Sequence, residues 1–406
     1  MRRISTLAAL LLALGCASNS AQQNTPATFE KSTGYSAIAG KEAVGVVPAA
    51  TIHDAQRNRD LTLSIEYPIK GGPYPLIIFS HGYGASEQSY EQLVSYWTSN
   101  GYAVIRPRHA DAGKSPDAMR AIFGERTNAE RERQQRGRRP SKEEMEKAAK
   151  EREEAEQHRE AQIWEKEREP QWRDRVRDVS LIIDNLDDLE QRFFELKGKF
   201  DHGKIGVAGH DLGALTAMLA AGAKTFGNPP LSIGDPRVKA IVAMSPQGVT
   251  ASLGLNPQSF ADIKVPALFM TGSEDRGATP TEDWQWRKTA YANAAPGDKY
   301  FVLLQGARHA TFAGTYAPID IPETSTIPVR NPNNPYPPGD PRNPYPEYQM
   351  AQRSGPVNPQ MGRASFNEVR IISLGFWDAY LKGEAKGREF LDKTAGSMGG
   401  VTIEKR

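Results

Sequence analysis

Cysteine is almost absent. Cys16 is the only one in 406 residues, so no disulfide braces the chain. Long apolar runs are missing past residue 16. A spanning helix needs about 20 apolar residues, so a polytopic membrane protein is excluded. An excess of one charge is missing too. Lys and Arg total 51 against 49 Asp and Glu, for a net charge of +2, which gives no reason to expect a nucleic-acid partner. His53, His109, His158 and His202 show no metal-ligand spacing. Gly113-Lys114-Ser115 lacks the first glycine of a phosphate loop, because Arg108 stands there. What is present is apolar material, at 38% of residues with balanced charge, which excludes a fully disordered chain.

Arg2 and Arg3 precede an apolar stretch from Leu7 to Gly15, followed by Cys16 and polar residues. A charged start, a short greasy core and small residues read as a secretory signal over residues 1–21. Ala13-Leu14-Gly15-Cys16 resembles a bacterial lipobox, whose cysteine would carry a lipid anchor to the membrane. Ordinary cleavage near Ala17 or Ala21 fits the same rule, so lipid-anchored and soluble secreted forms both stand. Either places the mature protein outside the cytoplasm.

Two segments differ from the rest. Between Glu125 and Arg175, 15 residues are acidic and 15 basic. Ser141 with Glu144 forms a capping box, and Glu143–Lys147 and Glu146–Lys150 are helix-favouring pairs. The reading is a solvated helix over 141–169, stopped by Pro170, inside a charged insertion spanning 126–172. The second segment, 317–363, holds 12 of the 29 prolines and repeats Asn-Pro-Tyr-Pro. Proline this dense prevents helix or inner strand, so an extended loop is expected.

Elsewhere, short apolar strands alternate with helices. Strands are expected at Leu76–Ser80, Tyr102–Arg106, Ile205–Ala208, Val238–Met244, Ala267–Thr271 and, last, Tyr300–Leu304. Helices are expected at Ser86–Asn100, Leu212–Gly222 and Ile371–Leu381. Val176, Val179, Ile183, Leu186 and Phe193 share one helical face. This predicts an α/β fold, a mostly parallel sheet with helices on both faces and antiparallel edge strands from Thr51–Tyr67. Residues 22–50 then read as a linker, 51–396 as one domain with the two insertions, and 397–406 as a tail.

The chemistry concentrates in Lys204-Ile205-Gly206-Val207-Ala208-Gly209-His210-Asp211-Leu212-Gly213-Ala214. A buried strand turns sharply into a helix, with small residues on both sides of the turn, as a nucleophile elbow requires. Its central residue is Asp211, not serine. His210 reads as a packing or hydrogen-bonding neighbour.

At this point the chain resembles the α/β-hydrolase family, in its dienelactone-hydrolase-like and platelet-activating-factor-acetylhydrolase-like branch. The resemblance rests on Phe79-Ser80-His81-Gly82-Tyr83-Gly84, on Gly209-His210-Asp211-Leu212-Gly213, on Thr271-Gly272-Ser273-Glu274-Asp275 and on Gly306-Ala307-Arg308-His309. Phe376–Leu381 resembles that branch's final helix. It implies a hydrolase of ester-like small molecules that needs no cofactor. Asp211, Asp275 and His309 follow the family order of nucleophile, acid and histidine, with Glu274 as the adjacent alternative acid. Tyr83 and Leu212 would supply the oxyanion-hole N–H groups. Alone, each has a plainer reading: Asp211 as a helix cap, Asp275 as a turn residue and His309 as a surface histidine. Their order, each at a strand end, favours a triad.

An aspartate in that place changes the chemistry. Its ordinary pKa is about 3.9, so it is already an anion and needs no base for the first step. Haloalkane dehalogenases, fluoroacetate dehalogenases and epoxide hydrolases of the same fold use such a carboxylate to form an alkyl-enzyme ester. The rest departs from them: Gly84 stands where their oxyanion motif has proline, and Leu212 where haloalkane dehalogenases commonly have tryptophan. Three readings stay open: an ester hydrolase with an altered nucleophile, an Asp-nucleophile hydrolase of haloalkanes or epoxides, and a non-catalytic binding protein.

Overall fold

The computed structural model describes residues 34–114, 169–227, 230–277, 281–314 and 359–406. Residues 141–168 of the helix expected at 141–169, and most of the proline-rich loop, lie outside them. Strands β1 (Val44–Asp54), β2 (Arg59–Pro68) and β3 (Tyr74–Ser80) lead to helix α1 (Glu91–Ser99) and β4 (Ala103–Pro107). Helices α2 (Glu169–Asp184) and α3 (Leu186–Arg192) precede β5 (Phe200–His210), α4 (Leu212–Ala220), β6 (Val238–Met244) and β7 (Ala267–Gly272). Then come α5 (Trp284–Asn293), β8 (Lys299–Leu304), α6 (Pro359–Trp377) and β9 (Val401–Lys405).

The nine strands form one sheet in the order β1-β2-β4-β3-β5-β6-β7-β8-β9. From β4 to β8 every pairing is parallel; β1, β2 and β9 join antiparallel at the edges. The inner strands are buried on both faces, so they read as continuous apolar runs. Leu76 and Ile78 enter the core beneath α2 to α5, while Ile77 and Phe79 enter the one beneath α1 and α6. The chain leaves β3 for β4 on one side and returns to β5 on the other. That reversal opens a crevice at the carboxyl ends of β3 and β5, where α/β sheets hold ligands. No helix of the described residues is long and apolar enough to cross a membrane.

Several boundaries differ from expectation. The tail holds β9, a short alternating strand whose outer positions are partly exposed; Tyr300–Leu304 is therefore not the last strand. The linker supplies Val44–Ala50 of β1. The helix expected from Ser86 begins at Glu91, because Tyr90 takes a left-handed φ of 66° and breaks the repeat. Pro170 does not end a helix but lies within α2, whose described residues begin at Glu169. Trp172 is buried, so the charged insertion ends before it. Pro359–Arg363, assigned to the loop, start α6. Val176, Val179, Ile183 and Leu186 are buried as the periodicity implied, whereas Phe193 is only half-buried.

The turn between β5 and α4 depends on its glycines. A Cβ on Gly209 would lie 2.2 Å from Gly213 O, and one on Gly213 would lie 1.9 Å from Ser80 O. Gly213→Ala is therefore expected to cost about 1–3 kcal/mol by overpacking; denaturant titration measures it, and an unchanged midpoint would contradict this packing.

Candidate active site

The strand-to-helix turn puts Asp211 at φ 54°, ψ −121°, a conformation few non-glycine residues adopt. Asp211 N–H donates to Met244 O (3.0 Å) and its carbonyl accepts from Ala214 N–H (2.9 Å), so neighbouring structure holds the conformation. The side chain projects into the crevice above β3 and β5. Tyr83 N–H donates to Asp211 Oδ2 at 3.2 Å. The Leu212 N–H adds a further favourable interaction with the carboxylate. Gln247 Nε2 donates to the other oxygen, Oδ1, at 3.4 Å. Burial alone would raise the Asp211 carboxyl pKa; the His309 and His210 rings and the two N–H donors outweigh it and hold the pKa below the usual value.

His309 lies opposite, with Nε2 4.0 Å from Asp211 Oδ1, beyond direct hydrogen-bond reach. Its Nδ1 faces Asp275 Oδ1 at 3.1 Å. Asp275 is fully buried. Ser245 Oγ (2.5 Å) and Thr271 Oγ1 (2.9 Å) donate to its Oδ2, and Arg287 Nη2 lies 3.0 Å from Oδ1. Burial opposes ionisation of Asp275, but Arg287, His309 and Ser245 hold its carboxyl well below the usual range. The structure thus brings Asp211, His309 and Asp275 together. Glu274, the adjacent alternative, is half exposed and pairs with Arg308 at 2.8 Å.

His210 is buried against the site, its ring centroid 4.4 Å from that of His309. Tyr90 Oη lies 2.9 Å from His210 Nδ1. Burial, helped by the neighbouring His309, pulls the His210 pKa down to about 3, so it packs as a neutral ring. His81 is also buried, and burial beside Arg175 holds it neutral. Its Nδ1 donates to Gly82 O (2.7 Å) and its Nε2 accepts from His109 N–H (3.2 Å). A Cβ on Gly82 would lie 3.0 Å from Tyr90 Oη, so the loop runs close over that side chain. Gly84 turns with φ 72°.

The residues that hold Tyr83 in place escaped the sequence reading. Arg175 and Asp111, both buried, form a bidentate pair at 3.0 and 2.6 Å. Arg175 Nη1 donates to His81 O (2.7 Å), and Asp111 Oδ2 accepts from Gly84 N–H (3.2 Å). The pair therefore grips the loop on both sides of Tyr83. Behind it, His109 Nδ1 donates to Asp178 Oδ2 (2.8 Å) and its Nε2 accepts from Ser80 Oγ (2.9 Å). This chain repeats triad connectivity, but Ser80 is 0% exposed, so it serves the scaffold. Arg175 sits at the end of a charge-balanced run that read as solvated; no local signal marks it as buried. Arg287 likewise lies on a helix with no distinguishing pattern.

At the opposite end of β5, Asp187, Glu190 and His202 gather at the surface within 4.8 Å of one another, a grouping the spacing did not reveal. Glu190 Oε1 is already engaged by Phe200 N–H at 3.1 Å.

A double-mutant cycle tests the clamp. Arg175→Met and Asp111→Asn each strand a buried charged or polar partner, at about 3–5 kcal/mol for the worse of them. The pair is expected to couple by about 1.5–3 kcal/mol in denaturant unfolding, and additive effects would contradict the contact.

Comparison with known proteins bears on this arrangement. The family described as platelet-activating factor acetylhydrolase, isoform II, matches residues 36–231, a span that holds Tyr83, Asp211 and Leu212. Among solved structures, a ferulic acid esterase from Streptomyces cinnamoneus superposes with a TM-score of 0.52 over 91% of this chain and 98% of that chain. Their sequence identity is 17%, so that likeness speaks for the fold. Sheet order, elbow and family match agree: the chain is a hydrolase with the α/β-hydrolase fold, and its residues 36–231 are similar to the platelet-activating-factor-acetylhydrolase family.

Proposed function

We propose that the protein hydrolyses small ester-like substrates outside the cytoplasm, with Asp211 as nucleophile, His309 as base and Asp275 orienting His309. The Tyr83 and Leu212 N–H groups form the oxyanion hole. Ester chemistry follows the family; export rests on the charged and apolar pattern of residues 1–21.

The observation that carries this reading is the seating of Asp211. Its Oδ2 accepts the Tyr83 N–H while its Oδ1 faces His309 and Gln247. A serine would leave the Tyr83 donor free for a substrate carbonyl. Here a carboxylate oxygen takes it. Acyl attack would have to displace that oxygen, and would yield a mixed anhydride far above the ester in energy. Attack on the alkoxy carbon meets neither obstacle. Oδ1 bonds to the saturated carbon, the carbon–oxygen ester bond breaks, and the acid departs as a carboxylate with the electron pair. The alkyl group passes between two carboxylates of similar energy.

Hydrolysis of the alkyl-enzyme follows. His309 takes a proton from water, and the hydroxide adds to Asp211 Cγ. Negative charge develops on Oδ2, where the Tyr83 donor already points. Collapse breaks the Cγ–Oδ1 bond, and the imidazolium returns its proton to the departing alcohol. Asp275, itself held by Arg287, fixes the orientation of the His309 ring. The same steps would open a carbon–halogen bond or an epoxide, but Leu212 offers no donor side chain to a halide.

Oxygen labelling tests this. With benzyl acetate turned over repeatedly in heavy-oxygen water, the label is expected in the benzyl alcohol and not in the acetate. Phenyl acetate, whose ring carbon cannot undergo displacement, is expected to remain intact. Label in the acetate would mean acyl cleavage and would overturn the assignment.

A further inference from the structure

Gln247 follows β6 on a loop that α5 pins. Arg287 Nη1 donates to Ser245 O (2.8 Å) and Pro246 O (3.1 Å). Beyond it, Thr289 Oγ1 accepts from Val249 N–H (2.7 Å) and Trp286 Nε1 donates to Val249 O (2.9 Å). A Cβ on Gly248 would lie 1.9 Å from Trp286 O, so loop and helix touch backbone to backbone. The side chain between these anchors is 9% exposed.

Its amide orientation is fixed by charge. The end facing the Asp211 carboxylate must be the N–H end, because two oxygens would repel. That leaves Oε1, a buried acceptor with no hydrogen-bond partner among the described residues. Buried polar atoms in folded proteins are almost always paired, and an exception in a binding cavity marks where a ligand completes the bond. The cavity in question has Asp211 and Gln247 in its wall. Trp172, Leu212, Leu215 and Leu253 give it apolar surface, and Gln171 is its other polar wall residue.

We propose that Gln247 selects the substrate, which carries a hydrogen-bond donor (a hydroxyl or a primary amide N–H) next to the carbon that Asp211 attacks, on an apolar body packed against Trp172 and Leu253. This rests on the reading of Asp211 as the reacting group. The amide does two things at once. Its N–H holds Oδ1 in line for attack, and its C=O weakens, without abolishing, the binding of a substrate that lacks the donor, because such a substrate would bury Oε1 unpaired.

Binding tests this without turnover. Hexanamide and heptan-2-one have nearly the same shape, but only the first has N–H groups. Their dissociation constants are measured by ligand-observed NMR titration on the full chain and on Gln247→Met, which is close in volume, with the Tm of each protein recorded. Hexanamide is expected to bind the natural protein on the order of 10-fold more tightly, and the gap is expected to fall below about 3-fold in Gln247→Met. Equal affinities in the natural protein, binding of neither probe, or an unchanged gap in Gln247→Met would each overturn the proposal. The gap standing while benzyl acetate labels the acetate would remove the alkyl-transfer step and keep Gln247. Loss of the gap with label in the alcohol would remove Gln247 alone.

Discussion

Asp211 Oδ2 accepts a hydrogen bond from Tyr83 N–H across the gap between the ends of β3 and β5. That contact divides the two oxygens of one carboxylate into different roles, one held among backbone donors and one free to react. It exists only because the elbow holds Asp211 at a positive φ and because Gly209, Gly213 and Ser80 pack backbone against backbone. Helix α4 begins directly behind the carboxylate, where its N–H groups favour negative charge. The carboxylate is thus ionised and oriented by the fold itself, which in the proposed reaction would meet the cost of arranging it before any substrate arrives.

Two buried ionic systems flank that contact. On one side Arg287 joins Asp275 to the loop that carries Gln247; on the other Arg175 and Asp111 fix the loop that carries Tyr83. Burying such charges is expensive, and apolar replacements often give equal or greater stability. Their value lies in direction. A guanidinium presents several N–H groups in one plane, so Arg175 can bind a carboxylate on one edge and a carbonyl on the other, which a lysine cannot do. Helices α2 and α5, on one face of the sheet, therefore set the two halves of the site.

The parallel sheet was legible because each inner strand is a short apolar run ended by small or polar residues, and β6 lies where its run of residues suggested. Asp211, Asp275 and His309 were legible because each ends a strand, and strand ends meet at one rim. The edges were harder. β9 is half exposed and alternates weakly, and Pro170 lies within a helix rather than ending one. Arg175, Asp111, Arg287 and Gln247 carried no signal, because burial of a charged or amide side chain depends on partners distant in sequence. Arg175 meets an aspartate 64 positions away, and nothing within its own helix announces it.

Removing the base while keeping the nucleophile isolates the covalent step. A His309→Gln enzyme incubated with benzyl acetate, digested and weighed by mass spectrometry, should carry a benzyl group on the peptide containing Asp211, because the alkyl-enzyme forms but cannot be hydrolysed. An acetyl group on that peptide, or no modification while the natural protein turns the ester over, would contradict the account.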